Sequence, residues 1–233
     1  MIIAVIPARG GSKRIAKKNI TDFAGKPLIA WSIEKALNTK IFDKVIVSTD
    51  SKEIAKVSEK FGAEVPFLRP KNLSDDFTGT SAVISHAVNW HNDNGNYVDF
   101  VCCLYATSPL VQEVDILGAY KKLLSSKKSF VFSVTEYPYP IQRAIRLNER
   151  NEVNLISPEF KRSRSQDLSK CHHDAGQFYW GKSQAFSEET DFFSPDSLGY
   201  LIPSYRVCDI DEPDDLVRAK LLFEVLNRSG EII

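Results

Sequence analysis

The N-terminal region carries the residue types that bind phosphate. Two glycines and a serine, Gly10-Gly11-Ser12, lie among five cations that fall within ten residues: Arg9, Lys13, Arg14, Lys17 and Lys18. Glycine lets backbone N–H groups approach a ligand closely, and clustered cations neutralise phosphate charge. The loop is predicted to bind phosphate; the alternative is a solvated basic turn. Its spacing is neither G-x-G-x-x-G nor G-x-x-x-x-G-K-[ST], so neither a dinucleotide-binding fold nor a P-loop is indicated.

Two carboxylates near the C-terminal end of the chain form a second set of candidate functional residues. Asp209 and Asp211 alternate in the stretch Val207-Cys208-Asp209-Ile210-Asp211-Glu212-Pro213. At the end of a strand they would point to one face, with Cα atoms about 6.5 Å apart. Mg²⁺ prefers such hard oxygen ligands and completes its shell with water and substrate phosphates. We therefore predict a Mg²⁺ site at Asp209 and Asp211; the alternative is that these aspartates cap the last helix.

Alternating strands and helices are predicted to position both groups. The apolar run Ile2–Ile6 predicts a buried strand that leads directly into the basic loop. Strands are also predicted at 42–49, 63–67, 100–105 and 130–135, and helices at 28–37, 52–61, 80–91 and 113–124. Beyond residue 176 the core is predicted to resume with segments 177–181, 183–186, 198–203 and 206–210 and a last helix at 213–227. This order indicates parallel βαβ units in a layered α/β/α domain, with the basic loop at the carboxyl edge of the sheet.

The alternation stops after Glu136. From Tyr137 to Asp174 the chain contains three prolines and no long helical period. We predict an arm of short strands and loops at 137–174 within a single domain of residues 1–233. An arm that cannot bury its own apolar residues would need a partner, which favours a homodimer. A surface flap is the alternative.

Composition excludes several classes of function. The 233 residues include thirty basic and thirty acidic side chains, so no global field attracts nucleic acid or an anionic membrane. The chain lacks a signal-peptide pattern and any apolar run of about 18 residues, which indicates a cytoplasmic protein without a membrane partner. The four cysteines show no metal-binding spacing and are predicted to be free thiols.

The stretch IPARGGSK...KN, followed by a hydrophobic helix, resembles the signature of the cytidylyltransferases that activate acidic sugars, the family of CMP-sialic acid synthetases. The resemblance implies a three-layer α/β/α, Rossmann-like nucleotidyltransferase fold with a mainly parallel sheet and a protruding dimerisation arm. It implies that Arg9 and Lys13 bind the triphosphate of CTP, and that DID before a proline-led helix holds Mg²⁺. The nucleotide-binding residues implied by this resemblance are Ala8, Arg9, Gly10, Ser12, Lys13, Lys18, Asn19, Arg69 and Ser81.

The acceptor side departs from the sialate pattern. Tyr105 stands where sialate enzymes usually have glutamine, and Val111 where they have arginine. The stretch CHHDAGQFYWG, together with residues 137–143, resembles the branch that activates pseudaminic acid. The acceptor-binding residues implied by this resemblance are Tyr105, Thr107, Ser108, Arg162, Arg164, Gln166, Asp174 and Gln177.

The implied reaction is attack by the anomeric hydroxyl of an acidic nine-carbon (nonulosonic) sugar on the α-phosphorus of CTP, which releases pyrophosphate. Arg9, Lys13 and Asp211 are the predicted catalytic residues, with Mg²⁺ as cofactor. The alternatives are an N-acylneuraminate or legionaminate cytidylyltransferase, a non-catalytic nucleotide-sugar binding protein, and a phosphatase with Asp50 or Asp211 as nucleophile.

Overall fold

A six-stranded sheet forms the centre of the protein in a computed structural model that describes residues 1–230. The last three residues of the predicted 1–233 domain lie outside the described part. The strands are β1 (Ile2–Pro7), β2 (Asp22–Phe23), β3 (Lys26–Pro27), β4 (Lys44–Ser48), β5 (Phe100–Leu104), β6 (Phe130–Glu136), β7 (Ile145–Leu147), β8 (Val153–Leu155), β9 (His172–Lys182) and β10 (Ser197–Leu201). The helices are α1 (Leu28–Thr39), α2 (Lys52–Lys60), α3 (Thr80–Asp93), α4 (Glu113–Leu124), α5 (Ser183–Ser187) and α6 (Pro213–Arg228).

The sheet has the order β10-β6-β9-β5-β1-β4 and is mainly parallel. β1 runs parallel to β4 and β5, and β10 runs parallel to β6, whereas β9 is antiparallel to β5 and β6. Side chains alternate across β1: Ala4 and Ile6 pack in one apolar cluster with α1, α2 and α4, while Ile3 and Val5 pack in another with α3 and α5. These two clusters confirm the predicted α/β/α layers.

A third apolar cluster attaches α6 to the start of the chain. Ala219, Phe223 and Leu226 of α6 pack with Phe23 of β2 and Leu28 of α1, and Ile210 also belongs to this cluster. The α6 helix begins with a capping box in which the Glu212 and Asp215 side chains accept hydrogen bonds from each other's backbone N–H groups. This packing brings the acidic stretch 209–211 beside the basic loop.

The strand predicted at 63–67 is wrong, and the strand on which Asp209 and Asp211 would share a face is absent. Within residues 63–67 only Glu64 pairs with β4, through an isolated parallel bridge to Ile46, and a second isolated bridge joins Leu68 to Thr49. Pro66 lies between these bridges and has no N–H to donate, which interrupts a regular ladder. Residues 206–210 begin at a short 3-10 turn, Ser204–Arg206, and continue as an irregular segment outside the sheets. Asp209 and Asp211 therefore do not end a strand.

The predicted arm is a small hairpin with connecting turns. β7 and β8 pair antiparallel as a separate two-stranded sheet, and their side chains are mostly exposed. β9 begins at His172, so residues 172–174 belong to the central sheet and the excursion is shorter than predicted. Within residues 1–230, no helix has both the length and the apolar content that a membrane span requires.

Candidate active site

The basic loop follows β1 and is fixed by contacts with its neighbours. Asn19, in the short 3-10 helix Lys18–Ile20, donates through Nδ2 to the carbonyl of Arg9 at 2.9 Å. The N–H of Gly10 donates to Oδ1 of Asp50 at 2.8 Å. A Cβ atom at Gly10 would lie 3.1 Å from Cβ of Ser51, a tight contact that favours glycine at this position. The loop holds its cations at the end of β1, but the Gly10 amide is already paired.

A cavity of about 580 Å³ opens beside this loop. Its cationic wall includes Arg9, Lys13 and Arg69. Only 6% of Arg69 is exposed. Burial lowers the pKa of the Arg69 guanidinium, an effect that Asp50 opposes and Arg9 reinforces. A guanidinium remains charged at neutral pH, so this wall suits a polyphosphate.

The Asp76 side chain contacts two of these cations. Its carboxylate accepts hydrogen bonds from Nη1 of Arg9 and Nζ of Lys13. The Lys13 hydrogen bond, then that of Arg9, holds the pKa of the Asp76 carboxyl below its ordinary value. The neighbouring Asp75 closes the turn, because its Oδ1 accepts from the N–H groups of Phe77 at 2.9 Å and Thr78 at 2.7 Å.

Asp211 connects the C-terminal segment with the basic loop. Its Oδ1 accepts from Nζ of Lys18 at 3.0 Å, and its Oδ2 lies 2.9 Å from Nη2 of Arg14. Lys18 also donates to the carbonyl of Ile210 at 2.7 Å. Partial burial alone would raise the pKa of Asp211, but Lys18 and then Arg14 outweigh it, so the pKa is lowered. Asp211 is therefore a carboxylate at neutral pH.

A second cavity of about 680 Å³ adjoins the first. Tyr105 and Asp211 line both cavities, whereas Asp174 and Asp209 line only the second. Desolvation by the surrounding protein, and then the charge of Asp211, raises the pKa of Asp209. The first cavity thus has a cationic wall and the second an acidic one, and they meet at Tyr105 and Asp211.

A bulge in β9 aims Asp174 at the second cavity. The pairing of β9 with β6 shifts between Phe132 and Val134, and Gly176 takes the left-handed φ of +60° that the bulge requires. The hydroxyl of Ser133 accepts from the N–H groups of residues 177 and 178, each at 3.2 Å. Asp174 accepts from the Gly176 N–H at 2.8 Å and from the hydroxyl of Tyr179. Both carboxylate oxygens of Asp174 are therefore held in place.

The cavities bring together many of the predicted site residues. The first is lined by Arg9, Ser12, Lys13, Lys18, Asn19, Arg69, Tyr105, Thr107 and Asp211, and the second by Tyr105, Asp174, Asp209 and Asp211. Other predicted residues line neither cavity: Ala8, Gly10, Ser81, Ser108, Arg162, Arg164, Gln166 and Gln177. Asp209 and Asp211 face one cavity, although they do not lie on a strand.

The residues outside the cavities have other contacts. Ser108 is buried, and its hydroxyl lies 3.4 Å from the carbonyl of Gln177. Gln177 is also buried and donates through Nε2 to the carbonyl of Arg206 at 2.7 Å, so both residues support the β9 bulge. Arg164 pairs with Asp167 at 2.7 Å in the arm.

Four residues that line the cavities were given no individual role from the sequence. Arg14, Asp76 and Thr80 line the first cavity, and Tyr179 lines the second. The Thr80 hydroxyl lies 3.2 Å from the Tyr105 hydroxyl. Arg14 is one of the five cations of the loop predicted to bind phosphate, and Asp76 and Thr80 lie in the segment 75–81, which the family resemblance places at the nucleotide and the sugar. Asp76 contacts Arg9 and Lys13, which lie 67 and 63 residues away, and Tyr179 contacts Asp174 across the bulge of β9; the sequence carries no local signal for either contact.

The donor set around Asp209 fits a hard cation, although no group of three His, Cys, Asp or Glu side chains suited to a metal occurs in residues 1–230. No ion pair within 4 Å or hydrogen bond joins the Asp209 side chain to another residue of this described part. Desolvation and then repulsion from Asp211 raise the pKa of Asp209, and a divalent cation would relieve that repulsion. Two carboxylates beside a phosphate site are a common arrangement for Mg²⁺.

Similarity to known proteins agrees with this geometry. Residues 3–172 match the family model described as cytidylyltransferase. The chain is 49% identical to a pseudaminic acid cytidylyltransferase of Campylobacter jejuni, over 98% of both chains. It is 33% identical to a CMP-N,N'-diacetyllegionaminic acid synthase of Legionella pneumophila, over 96% of this chain and 97% of the relative.

The fold has relatives among solved structures as well. A CMP:2-keto-3-deoxy-manno-octonic acid synthetase, solved with CTP, superposes with a TM-score of 0.70 at 17% identity, over 96% of this chain and 98% of the other. That likeness concerns the fold, whereas the family match and the two sequence relatives extend to the basic loop. On these grounds the chain belongs to the cytidylyltransferase family.

Proposed function

We propose that the protein transfers CMP from CTP to the anomeric hydroxyl of pseudaminic acid and releases pyrophosphate. The observation that carries the proposal is the pair of adjoining cavities, one cationic and one acidic, which share Tyr105 and Asp211. CTP occupies the first cavity and the sugar the second, so the α-phosphorus and the attacking hydroxyl meet at the shared wall. Holding two reactants in this way supplies much of the rate of a bimolecular reaction.

The chain's own residues bind and orient the reactants. Arg9, Lys13 and Arg69 neutralise the triphosphate and stabilise the charge that develops on the leaving pyrophosphate. Lys18 holds Asp211 at the junction of the cavities, because its Nζ donates to the Asp211 carboxylate at 3.0 Å and to the Ile210 carbonyl at 2.7 Å. Asp174, fixed by Tyr179 and Gly176, accepts hydrogen bonds from hydroxyl or amide groups of the sugar.

Asp209 and Asp211 are the residues that would hold Mg²⁺. When bound, the ion supplies charge neutralisation at phosphate oxygens and acidifies a coordinated hydroxyl. Asp211 forms ion pairs with Lys18 and Arg14, whereas within residues 1–230 the Asp209 side chain forms no ion pair within 4 Å and only the more distant charge of Lys18 lowers its pKa. Binding of a cation is therefore expected to depend on the Asp209 side chain as well as on Asp211.

A homodimer formed through the arm is a further part of the proposal. The β7–β8 hairpin exposes 52% of Ile145, 54% of Leu147 and 63% of Val153. An apolar hairpin is poorly stable alone in water, and a second copy would cover it. Sedimentation velocity of the wild type and of Leu147→Asp tests this, with the exposed polar change Asn148→Asp as control. A wild type that sediments as a monomer at micromolar concentration contradicts the dimer.

The decisive experiment is pyrophosphate release from CTP and Mg²⁺ with three acceptors in parallel: pseudaminic acid, N-acetylneuraminic acid and legionaminic acid. The proposal expects turnover with pseudaminic acid at least tenfold faster than with the other two. Turnover with another acceptor alone would keep the mechanism and reject the substrate. Release of inorganic phosphate without formation of a CMP-sugar would support the phosphatase alternative. Binding of the CMP-sugar without turnover would support the non-catalytic binding protein.

A further inference from the structure

The Asp76 carboxylate pairs with two of the cations that the first cavity offers to a polyphosphate, Arg9 and Lys13. Its Oδ1 accepts from Arg9, which also donates to the carbonyl of Asp75 at 3.0 Å. Its Oδ2 accepts from Lys13. The side chain has no other ion pair or hydrogen-bond partner within the described part of the chain. Asp76 is thus held by the same donors that neutralise phosphate, in the way that a bound anion would be held.

The segment that carries Asp76 can move without disturbing the core. Residues 74–79 form a turn closed by three hydrogen bonds to Oδ1 of Asp75, and Ser74 and Thr78 also bond to residues in the preceding segment 69–72. Phe77, beside Asp76, is 94% exposed and packs against none of the apolar clusters. The contacts that tie Asp76 to the rest of the protein are chiefly those with Arg9 and Lys13. Displacing it therefore costs two partly exposed ion pairs and no buried apolar surface.

We propose that Asp76 is an internal competitor of the polyphosphate, displaced from Arg9 and Lys13 when CTP binds and restored to them as pyrophosphate leaves. The inference rests on the proposed function, because it concerns the product of that reaction. Every polyphosphate has to displace the same carboxylate. CTP has further contacts through its nucleoside, whereas pyrophosphate has only its charge. The competition therefore raises the dissociation constant of pyrophosphate, so that the product dissociates rapidly.

Binding of pyrophosphate to the free protein tests the proposal directly. Isothermal titration with sodium pyrophosphate, in metal-free buffer of low ionic strength, compares the wild type with Asp76→Asn. Loss of two exposed ion pairs is expected to tighten pyrophosphate binding roughly threefold to tenfold. Asp93→Asn is the matched control, because Asp93 ends α3, is exposed and lines neither cavity. This control should leave the dissociation constant within a factor of about two.

A double-mutant cycle separates competition from a general change in charge or loop mobility. In a Lys13→Gln background, one of the two partners of Asp76 is absent, so the gain from Asp76→Asn should fall to about twofold or less. Equal or weaker pyrophosphate binding by Asp76→Asn overturns the proposal. A gain that persists undiminished in the Lys13→Gln background overturns it too. Absence of turnover with every nonulosonic acid would reject the proposed function instead, and the binding measurement would be unaffected.

Discussion

Replacing Asp211 by Asn should abolish most activity and leave the fold nearly intact. The substitution keeps the size of the side chain and removes the charge that pairs with Lys18 at 3.0 Å and Arg14 at 2.9 Å. The Asp211 side chain is 42% exposed, so solvent screening limits the two pairs to about 1–2 kcal/mol in total. For a chain of this size the melting temperature should fall by about 2–8 °C. Turnover should fall by about 10²–10³-fold, as for other groups that act on transition-state charge.

The Michaelis constants distinguish this role from a structural one. Removal of a negative charge from the wall of the CTP cavity reduces repulsion of the triphosphate, so KM for CTP should stay constant or fall while kcat collapses. The assay is steady-state pyrophosphate release, with Asp214→Asn as control, since Asp214 lies exposed in the first turn of α6 and lines neither cavity. Retention of a tenth of wild-type kcat by Asp211→Asn would refute the reasoning.

The same pairs predict a pH dependence of stability. Lys18 and Arg14 lower the pKa of Asp211 in the folded state, so their contribution is present above the ordinary carboxyl pKa of about 4. This stabilisation is lost as the pH falls through the lowered pKa that Asp211 has in the folded protein. The difference in unfolding free energy between wild type and Asp211→Asn should therefore be constant from neutral pH down to about pH 5 and shrink below about pH 4. Denaturant titrations at these pH values measure it, and a difference that grows on acidification contradicts the assignment.

Three further substitutions test other parts of the site. Asp115→Ala leaves the guanidinium of Arg206, which is only 12% exposed, without its bidentate partner. The free energy of unfolding, measured by thermal unfolding, should therefore fall by about 3–5 kcal/mol. A decrease of less than about 1 kcal/mol would contradict a buried ion pair. Tyr179→Phe frees one oxygen of Asp174 and should raise KM for the sugar roughly threefold to tenfold in steady-state assays, with KM for CTP unchanged. Arg9→Ala should raise KM for CTP roughly tenfold to a hundredfold with little effect on KM for the sugar, and an unaltered KM for CTP would count against the phosphate loop.

The parts of the fold that the sequence predicts well depend on local patterns. The apolar run at Ile2–Ile6 and the helical spacing at 28–37 correspond to β1 and α1, and the position of the basic loop follows from β1. The prediction of a strand at 63–67 was wrong because it rested on apolar content alone. Pro66 has no backbone N–H group to donate to a neighbouring strand, so only isolated bridges form. The bulge at Gly176 depends on how β9 pairs with β6, which is a contact across forty residues.

In the site, too, local patterns were predicted well and contacts between distant residues were not. The cations of the basic loop are neighbours in sequence, so their residue types alone indicate phosphate. The contact between Asp76 and Lys13 spans 63 residues, and that between Lys18 and Asp211 spans 193. Such pairs depend on tertiary packing that no local pattern encodes. The paired carboxylates and the resemblance to a known family both indicated Asp209 and Asp211, whereas the strand that would place them on one face is absent at 206–211.

The separate apolar cluster beneath α6 has a consequence for how the enzyme loses activity. Phe23, Leu28 and Phe223 pack there, apart from the two clusters that stabilise the central sheet. Proteins open in cooperative units, and a unit with its own small core opens at a lower free energy than the whole domain. Detachment of residues 207–228 would take Asp211 away from Lys18 while the sheet stays folded. Mild denaturant should thus inactivate the enzyme before global unfolding begins, and amide exchange in α6 should be faster than in β1.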